Sequence, residues 1–190
     1  MLSVVIATKD SERALVPTLA ALVPGATAGL VSEVLIADGG SRDDTTAVAE
    51  HAGCNFLVMD APLAQRLNAA AAKARAQWLL FLQPATVLEA TWIGDAQRFA
   101  DMVRPEAQAA VFRRGAPMRA GVLDALSLLA TTLGRLPRPE QGLLIAKDFH
   151  LKLGGHSEAA TDPERDLIRR IGRRRLTTLP TLAYRALRYT

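Results

Sequence analysis

Cysteine, aromatic residues and long apolar runs are all scarce in this sequence, and each scarcity removes a class of protein. There is one cysteine, Cys54, so no internal disulfide can form, and a lone thiol fits a reducing compartment. Aromatic residues make up 5% of the chain. That is thin for the stacking platforms that hold single-stranded nucleic acid, and Ala, Leu and Val must fill the core instead. The three histidines, His51, His150 and His156, are not spaced as metal ligands. The N-terminus opens straight into an apolar run with no basic leader, so no signal peptide is expected. The longest helical apolar stretch, Gly121 to Leu133, contains Asp124 and is too short to span a bilayer. Together these set the expectation of a cytoplasmic protein.

What is present is an ordinary globular composition, 49% apolar and 22% charged, over 190 residues, which suggests one domain. The net charge of +4 is uneven. Residues 161–190 hold 8 Arg and no Lys against 3 acids, so the rest of the chain is slightly acidic. A basic C-terminal segment suits an anionic membrane, a diphosphate or simply solvent. Peripheral membrane contact through it stays open, and nucleic acid is not expected.

The first half alternates strand and helix signals. Leu2 to Ala7 is a continuous apolar run, as in a strand covered on both faces. A helix is predicted from Glu12 to Leu22, stopped by Pro24 and Gly25, then a strand from Glu33 to Ala37. Ser41 is placed as the cap of a helix through His51. A strand at Phe56 to Met59, a helix at Pro62 to Ala76 and a strand at Trp78 to Leu82 follow. This order implies a parallel sheet with right-handed crossovers. In the second half, helices are predicted at Thr91 to Met102, Gly121 to Leu133, Asp148 to Leu153 and Pro163 to Arg173, with strands at Ala109 to Phe112, Leu143 to Ala146 and Leu176 to Leu179.

Two segments carry chemistry. Ala7-Thr8-Lys9-Asp10-Ser11-Glu12 follows the first strand, where an open parallel sheet binds ligands and a helix N-terminus favours an anion. Val34 to Thr45 contains Asp38-Gly39-Gly40-Ser41-Arg42-Asp43-Asp44-Thr45. A carboxylate there can accept from a base or a ribose hydroxyl, and two glycines let the backbone turn. Asp38 is expected to stand exposed in a cleft, and its alternative role is that of a solvated residue in a capped turn.

Together these segments resemble family 2 glycosyltransferases of the GT-A fold. That family carries a Pro-Thr-x-Asn-Glu-like element after its first strand and an Asp-(Asp/Gly)-Gly-Ser-x-Asp-x-Thr element after its second. Arg66-Leu67-Asn68-Ala69-Ala70-Ala71, then Trp78 to Leu82, resemble its Asn-containing helix and central strand. Pro137 to Gly142 and Leu153-Gly154-Gly155 match later landmarks in order and spacing. The pattern is most similar to the short radical-SAM/selenodomain-associated subgroup. The resemblance implies a GT-A-like three-layer α/β/α domain with a mostly parallel central sheet. Residues 1–88 would be its nucleotide-binding half, and 89–190 its acceptor half with the basic segment.

By that resemblance, Thr8, Asp10, Glu12, Asp38, Gly40, Arg66 and Asn68 would bind the nucleotide. Glu164, in Pro163-Glu164-Arg165-Asp166-Leu167, falls at the position of the catalytic base, and Glu140 and Gln141 face the acceptor. The sequence departs from the family where a metal-binding Asp follows the central strand. The segment here is Gln83-Pro84-Ala85-Thr86, and Ala85 cannot ligate a hard cation. Ala7 and Ala70 replace a family Pro and Gly. Glu89 lies past the turn. No metal or other cofactor is therefore predicted. Gln83, Ala85, Arg165 and Arg169 are placed at the donor diphosphate, with Arg173 on the same helical face. The function implied is hexose transfer from a nucleotide diphosphate sugar to an unidentified acceptor. The alternative is a degenerate domain that binds a nucleotide or a partner without turnover. A nucleotidyltransferase is disfavoured, since no glycine-rich pyrophosphorylase loop is present.

Overall fold

The computed structural model describes residues 1–104, 107–115 and 137–186. The helix predicted at Gly121 to Leu133 lies outside them. The strands are β1 (Leu2–Thr8), β2 (Val31–Asp38), β3 (Asn55–Val58), β4 (Trp78–Leu82), β5 (Thr86–Leu88), β6 (Ala109–Arg114), β7 (Leu143–Ala146) and β8 (Leu176–Arg185). The helices are α1 (Glu12–Thr27), α2 (Thr45–His51), α3 (Leu63–Lys73), α4 (Trp92–Met102), α5 (Lys147–Lys152) and α6 (Pro163–Ile171).

One sheet of order β3-β2-β1-β4-β7-β6-β8-β5 runs through the domain. β1 pairs in parallel with β2 and β4, and β2 with β3. β7 then enters antiparallel to β4 and β6, β8 runs parallel to β6, and β5 antiparallel to β8. The sheet is thus mixed, with its parallel half built by residues 1–82. β1 and β4 are buried along nearly their whole length, which explains their unbroken apolar sequence. From β1 the chain steps outward to β2 and β3, then returns across β1 to reach β4. Right-handed crossovers therefore put α1 and α2 on one face and α3 on the other. The reversal makes the carboxyl ends of β1 and β4 the topological switch point, where such sheets open a crevice.

Local chemistry moved several boundaries. α1 continues through Pro24 to Thr27 instead of stopping at Leu22. Pro24 supplies no N–H, but Gly25 lies against the fully buried Trp92, whose indole N–H donates to the Ala21 carbonyl at 3.2 Å. Tertiary packing outweighs the proline's break signal. α2 begins at Thr45, because Ser41 is used elsewhere. The three-residue β5 is too short to show a period in sequence, and it exists because β8, longer than predicted, pairs Thr86 to Leu88 with Arg185 to Ala183.

Candidate functional site

The segment after β2 is tied back onto the segment after β1. Register places Thr8 beside Asp38. Asp38 is 1% exposed and accepts from the Thr8 hydroxyl, the Ser41 hydroxyl and the backbone N–H groups of Gly40 and Ser41 at 2.5 to 2.8 Å. Burial alone would raise its pKa, but these bonds together hold it below the ordinary aspartate value. Its expected exposure in a cleft is therefore corrected: the carboxylate is an internal brace with its oxygens already engaged. Gly40, at φ +80°, adopts the left-handed turn that aims its N–H at Asp38.

Arg66 is likewise turned inward. It is buried, and its guanidinium donates to the carbonyls of Thr8 (2.8 Å), Ala37 (2.9 Å) and Ala61 (3.1 Å). It closes the ends of β1 and β2 over Gly39, where a Cβ would lie 3.0 Å from the guanidinium carbon. Asn68 donates to the His156 carbonyl and accepts from the His156 N–H, both at 2.8 Å. It clamps the Gly154-Gly155 turn to α3 instead of facing a ligand. Gln141 likewise turns inward, donating to the Phe112 carbonyl and accepting from the Arg138 N–H.

The backbone leading into α1 is also occupied. The N–H groups of Asp10, Ser11 and Glu12 donate to Ser41 Oγ, Thr45 Oγ1 and Asp43 Oδ2. Ser41 thus serves Asp10 and Asp38, which is why it caps no helix. Asp10 sits at φ +47° and accepts from the Arg42 N–H at 2.7 Å.

A cavity of about 630 Å³ opens at the switch point, between the ends of β1 and β4. Its wall brings together Asp10, Glu12, Gln83, Ala85 and Glu164. Thr8, Asp38, Gly40, Arg66 and Asn68 are not in that wall. Gln83 Nε2 donates to Glu164 Oε2 at 2.7 Å. Burial raises the Glu164 pKa most, the Gln83 bond lowers it, and the nearby Asp162 and Glu140 raise it further, leaving it at about 7. Glu140 also has an Oε2 that is buried without a hydrogen-bond partner.

The arginines predicted for the diphosphate are elsewhere. Arg165 is exposed and paired with Asp162 at 3.2 Å, Arg169 is exposed, and neither these nor Arg173 lines the cavity. The cations that do are Lys9, Arg13 and Arg185. Lys9 lies inside the first motif, between Thr8 and Asp10, where a lone lysine carries no signal of its own. Arg185 carries no local signal: it arrives through the β5–β8 ladder, opposite Thr86.

A mixed sheet with a cavity at its switch point defines an α/β domain of the GT-A type, and solved structures share it. A mannosyltransferase from Pyrobaculum calidifontis, in complex with GDP-Man and Mn²⁺, superposes with a TM-score of 0.77 at 13% identity, over 99% of this chain and 57% of that one. S. aureus TarS 1-349 in complex with UDP-GlcNAc gives 0.70 at 17% identity, over 100% and 59%. Glucosyl-3-phosphoglycerate synthase from Mycobacterium tuberculosis, in complex with Mn²⁺, UDP and glucosyl-3-phosphoglycerate, gives 0.67 at 17%, over 99% and 72%. The chain spans about three-fifths of the length of the first two. No curated protein matches the sequence. The family Glycosyl transferase family 2 matches residues 3–144, well over half of the chain, so the chain belongs to that family.

The family implies a divalent ion beside the donor, and the residues here do not fit one. Mg²⁺ and Mn²⁺ need firm oxygen ligands, carboxylates above all. Ala85 presents none, Gln83 turns its NH₂ toward Glu164, and Thr86 is buried. Among the described residues, no three of His, Cys, Asp and Glu are grouped to hold a metal.

Proposed function

We propose that this chain transfers a hexose from a nucleotide diphosphate sugar, held in the switch-point cavity, to a hydroxyl of an acceptor. The observation that carries this reading is Glu164, a cavity carboxyl oriented by Gln83 and poised at about pH 7. A base with that value is half ionised at neutral pH and can take a proton in the transition state. In the proposed step the acceptor oxygen bonds to the anomeric carbon as the bond to the diphosphate breaks. The acceptor proton passes to Glu164, and the nucleoside diphosphate leaves. Gln83 holds one carboxylate oxygen, so the other is available for the proton.

In this reading Asp10 and Glu12, which line the cavity, contact the nucleotide, and residues 1–88 form the nucleotide-binding half. Glu140, beside Glu164, lies on the acceptor side of the 89–190 half. The lone Cys54, half-buried and raised to about 11 by burial, is unreactive and suits a cytoplasmic location. No helix among the described residues is long and apolar enough to cross a membrane. The exposed Arg173 and Arg174 support a peripheral contact with an anionic surface as a further part of this reading.

The test is release of UDP or GDP from a panel of nucleotide sugars, with water or added polyols and glycans as acceptors. Glu164→Gln is expected to lower the rate about 10²- to 10⁴-fold. The wild-type rate should rise through a limb near pH 7 that the variant lacks. An unchanged rate in Glu164→Gln places the base elsewhere, and absence of release from every sugar overturns the transferase reading.

A further inference from the structure

A bound diphosphate needs positive charge around it, and several of the usual sources in this cavity are already engaged. The N–H groups of Asp10 and Ser11, just before α1, and of Glu12, its first residue, donate to Ser41, Thr45 and Asp43. The segment after β4 lacks the carboxylate a divalent ion requires. Arg66 is spent on three carbonyls, and Arg165 on Asp162. The cations left in the wall are Lys9, Arg13 and Arg185, and none has a hydrogen-bond or ion-pair partner for its side chain among the described residues.

Their placement is specific. Arg185 lies opposite Thr86 in the β5–β8 ladder, and the next residue, Ala186, donates its N–H to the Ala85 carbonyl at 2.8 Å. The strand pairing therefore sets an arginine beside the position where a carboxylate is missing. Lys9 follows the end of β1 and lines the same cavity. Of the four acids in the same wall, Asp10 and Asp43 already accept from backbone N–H groups and Glu164 accepts from Gln83, while the Glu12 carboxylate has no hydrogen-bond or ion-pair partner among the described residues. A guanidinium binds two phosphate oxygens at once and keeps its charge at any physiological pH.

We propose that Arg185, assisted by Lys9, carries the donor diphosphate in place of a divalent ion. This rests on reading the cavity as a nucleotide diphosphate sugar site. Arg185 neutralises the diphosphate in the ground state and the leaving nucleoside diphosphate as the glycosidic bond breaks. Donor binding then responds to ionic strength and not to a chelator.

The experiment is calorimetric titration of the full chain with UDP and GDP, and with uridine and guanosine as nucleosides without phosphate. Each is run in EDTA and in Mn²⁺, for wild type, Arg185→Ala and Arg185→Lys. Wild type is expected to bind a diphosphate equally, within about twofold, in the two buffers. Arg185→Ala should weaken that binding by about tenfold or more while leaving the nucleoside unchanged, with Arg185→Lys in between. Arg185 is exposed, so the variant should melt like wild type. Tightening of wild type by Mn²⁺ of tenfold or more overturns the proposal. So does an Arg185→Ala variant that keeps its diphosphate affinity or loses nucleoside affinity equally. If wild type binds neither diphosphate in either buffer, the donor-site reading itself falls, and this proposal with it.

Discussion

Replacing Asp38 by alanine takes an acceptor away from Thr8, Gly40 and Ser41 at once. Hydrogen bonds to a charged group contribute roughly 1.5–3 kcal/mol each and are not additive, and the donors left behind are partly or fully buried. The expected loss of stability is about 3 kcal/mol, read from a urea midpoint, and a change below about 0.5 kcal/mol would contradict the bracing role. Ala85 presents the opposite case. At φ +70° it occupies a left-handed conformation that disfavours any Cβ, pinned by its N–H to Ala14 O and its carbonyl to Ala186 N. Ala85→Gly should therefore stabilise the chain by about 1 kcal/mol despite glycine's larger unfolded-state entropy. A lower melting temperature in that variant would show that the turn does not carry this strain.

At the scale of elements, α1 and α4 meet through Gly25 and Trp92. Helix propensity alone favours alanine over glycine at an interior position by about 1 kcal/mol. A Cβ on Gly25, however, would stand 2.4 Å from Trp92 Cζ2, and Trp92 is fully buried with its indole N–H engaged. A ring so fixed cannot give way, and overpacking costs about 1–3 kcal/mol. Gly25→Ala is thus expected to destabilise by about 1–2 kcal/mol net, measured by denaturant unfolding. A stabilised variant would mean that α4 slides freely against α1.

The whole molecule should respond to acid through two buried histidines and the partly buried Glu164. His150 and His156 touch at 3.2 Å behind the site. Burial first, then Arg170, lowers them to about 4 and about 3, with His150 also acting on His156. Below the ordinary value of 6.5 the unfolded chain binds two protons that the native chain refuses, so stability falls as pH falls. Glu164 acts in the other direction: raised from 4.5 to about 7, it favours the native state at low pH and loses that contribution as pH rises through 7. Between pH 4.5 and 6.5 the balance is one proton, a slope of about 1.4 kcal/mol per pH unit toward instability in acid. Glu164→Gln removes the opposing proton, so the slope should about double, and the variant should be about 1–3 kcal/mol more stable above pH 7. Equal slopes, from unfolding curves at half-unit steps, would mean that Glu164 is ionised in the native state across this range.

Apolar continuity at Leu2 to Ala7 and Trp78 to Leu82, the helix signals between, and the Asp38 to Thr45 block mark a parallel α/β domain and its ligand edge in the sequence itself. These are local patterns, and with the crossover rule they give a parallel first half, while the placing of β4 beside β1 was decided by the tertiary structure. The missing carboxylate at Ala85 and the carboxyl at Glu164 were equally legible, because each is a residue type at a position in a motif. What the motifs did not reveal is which polar atoms remain available. The family resemblance implies ligand contacts at Asp38, Arg66 and Asn68, yet each is engaged by partners 2 to 88 positions away. Arg185 enters the cavity only because β8 runs on to pair with a three-residue strand next to Ala85. Sequence periodicity records which face of an element is buried. The pairing of a donor with its acceptor is decided through space, so tertiary structure alone separated the scaffold of this site from the groups that face its cavity.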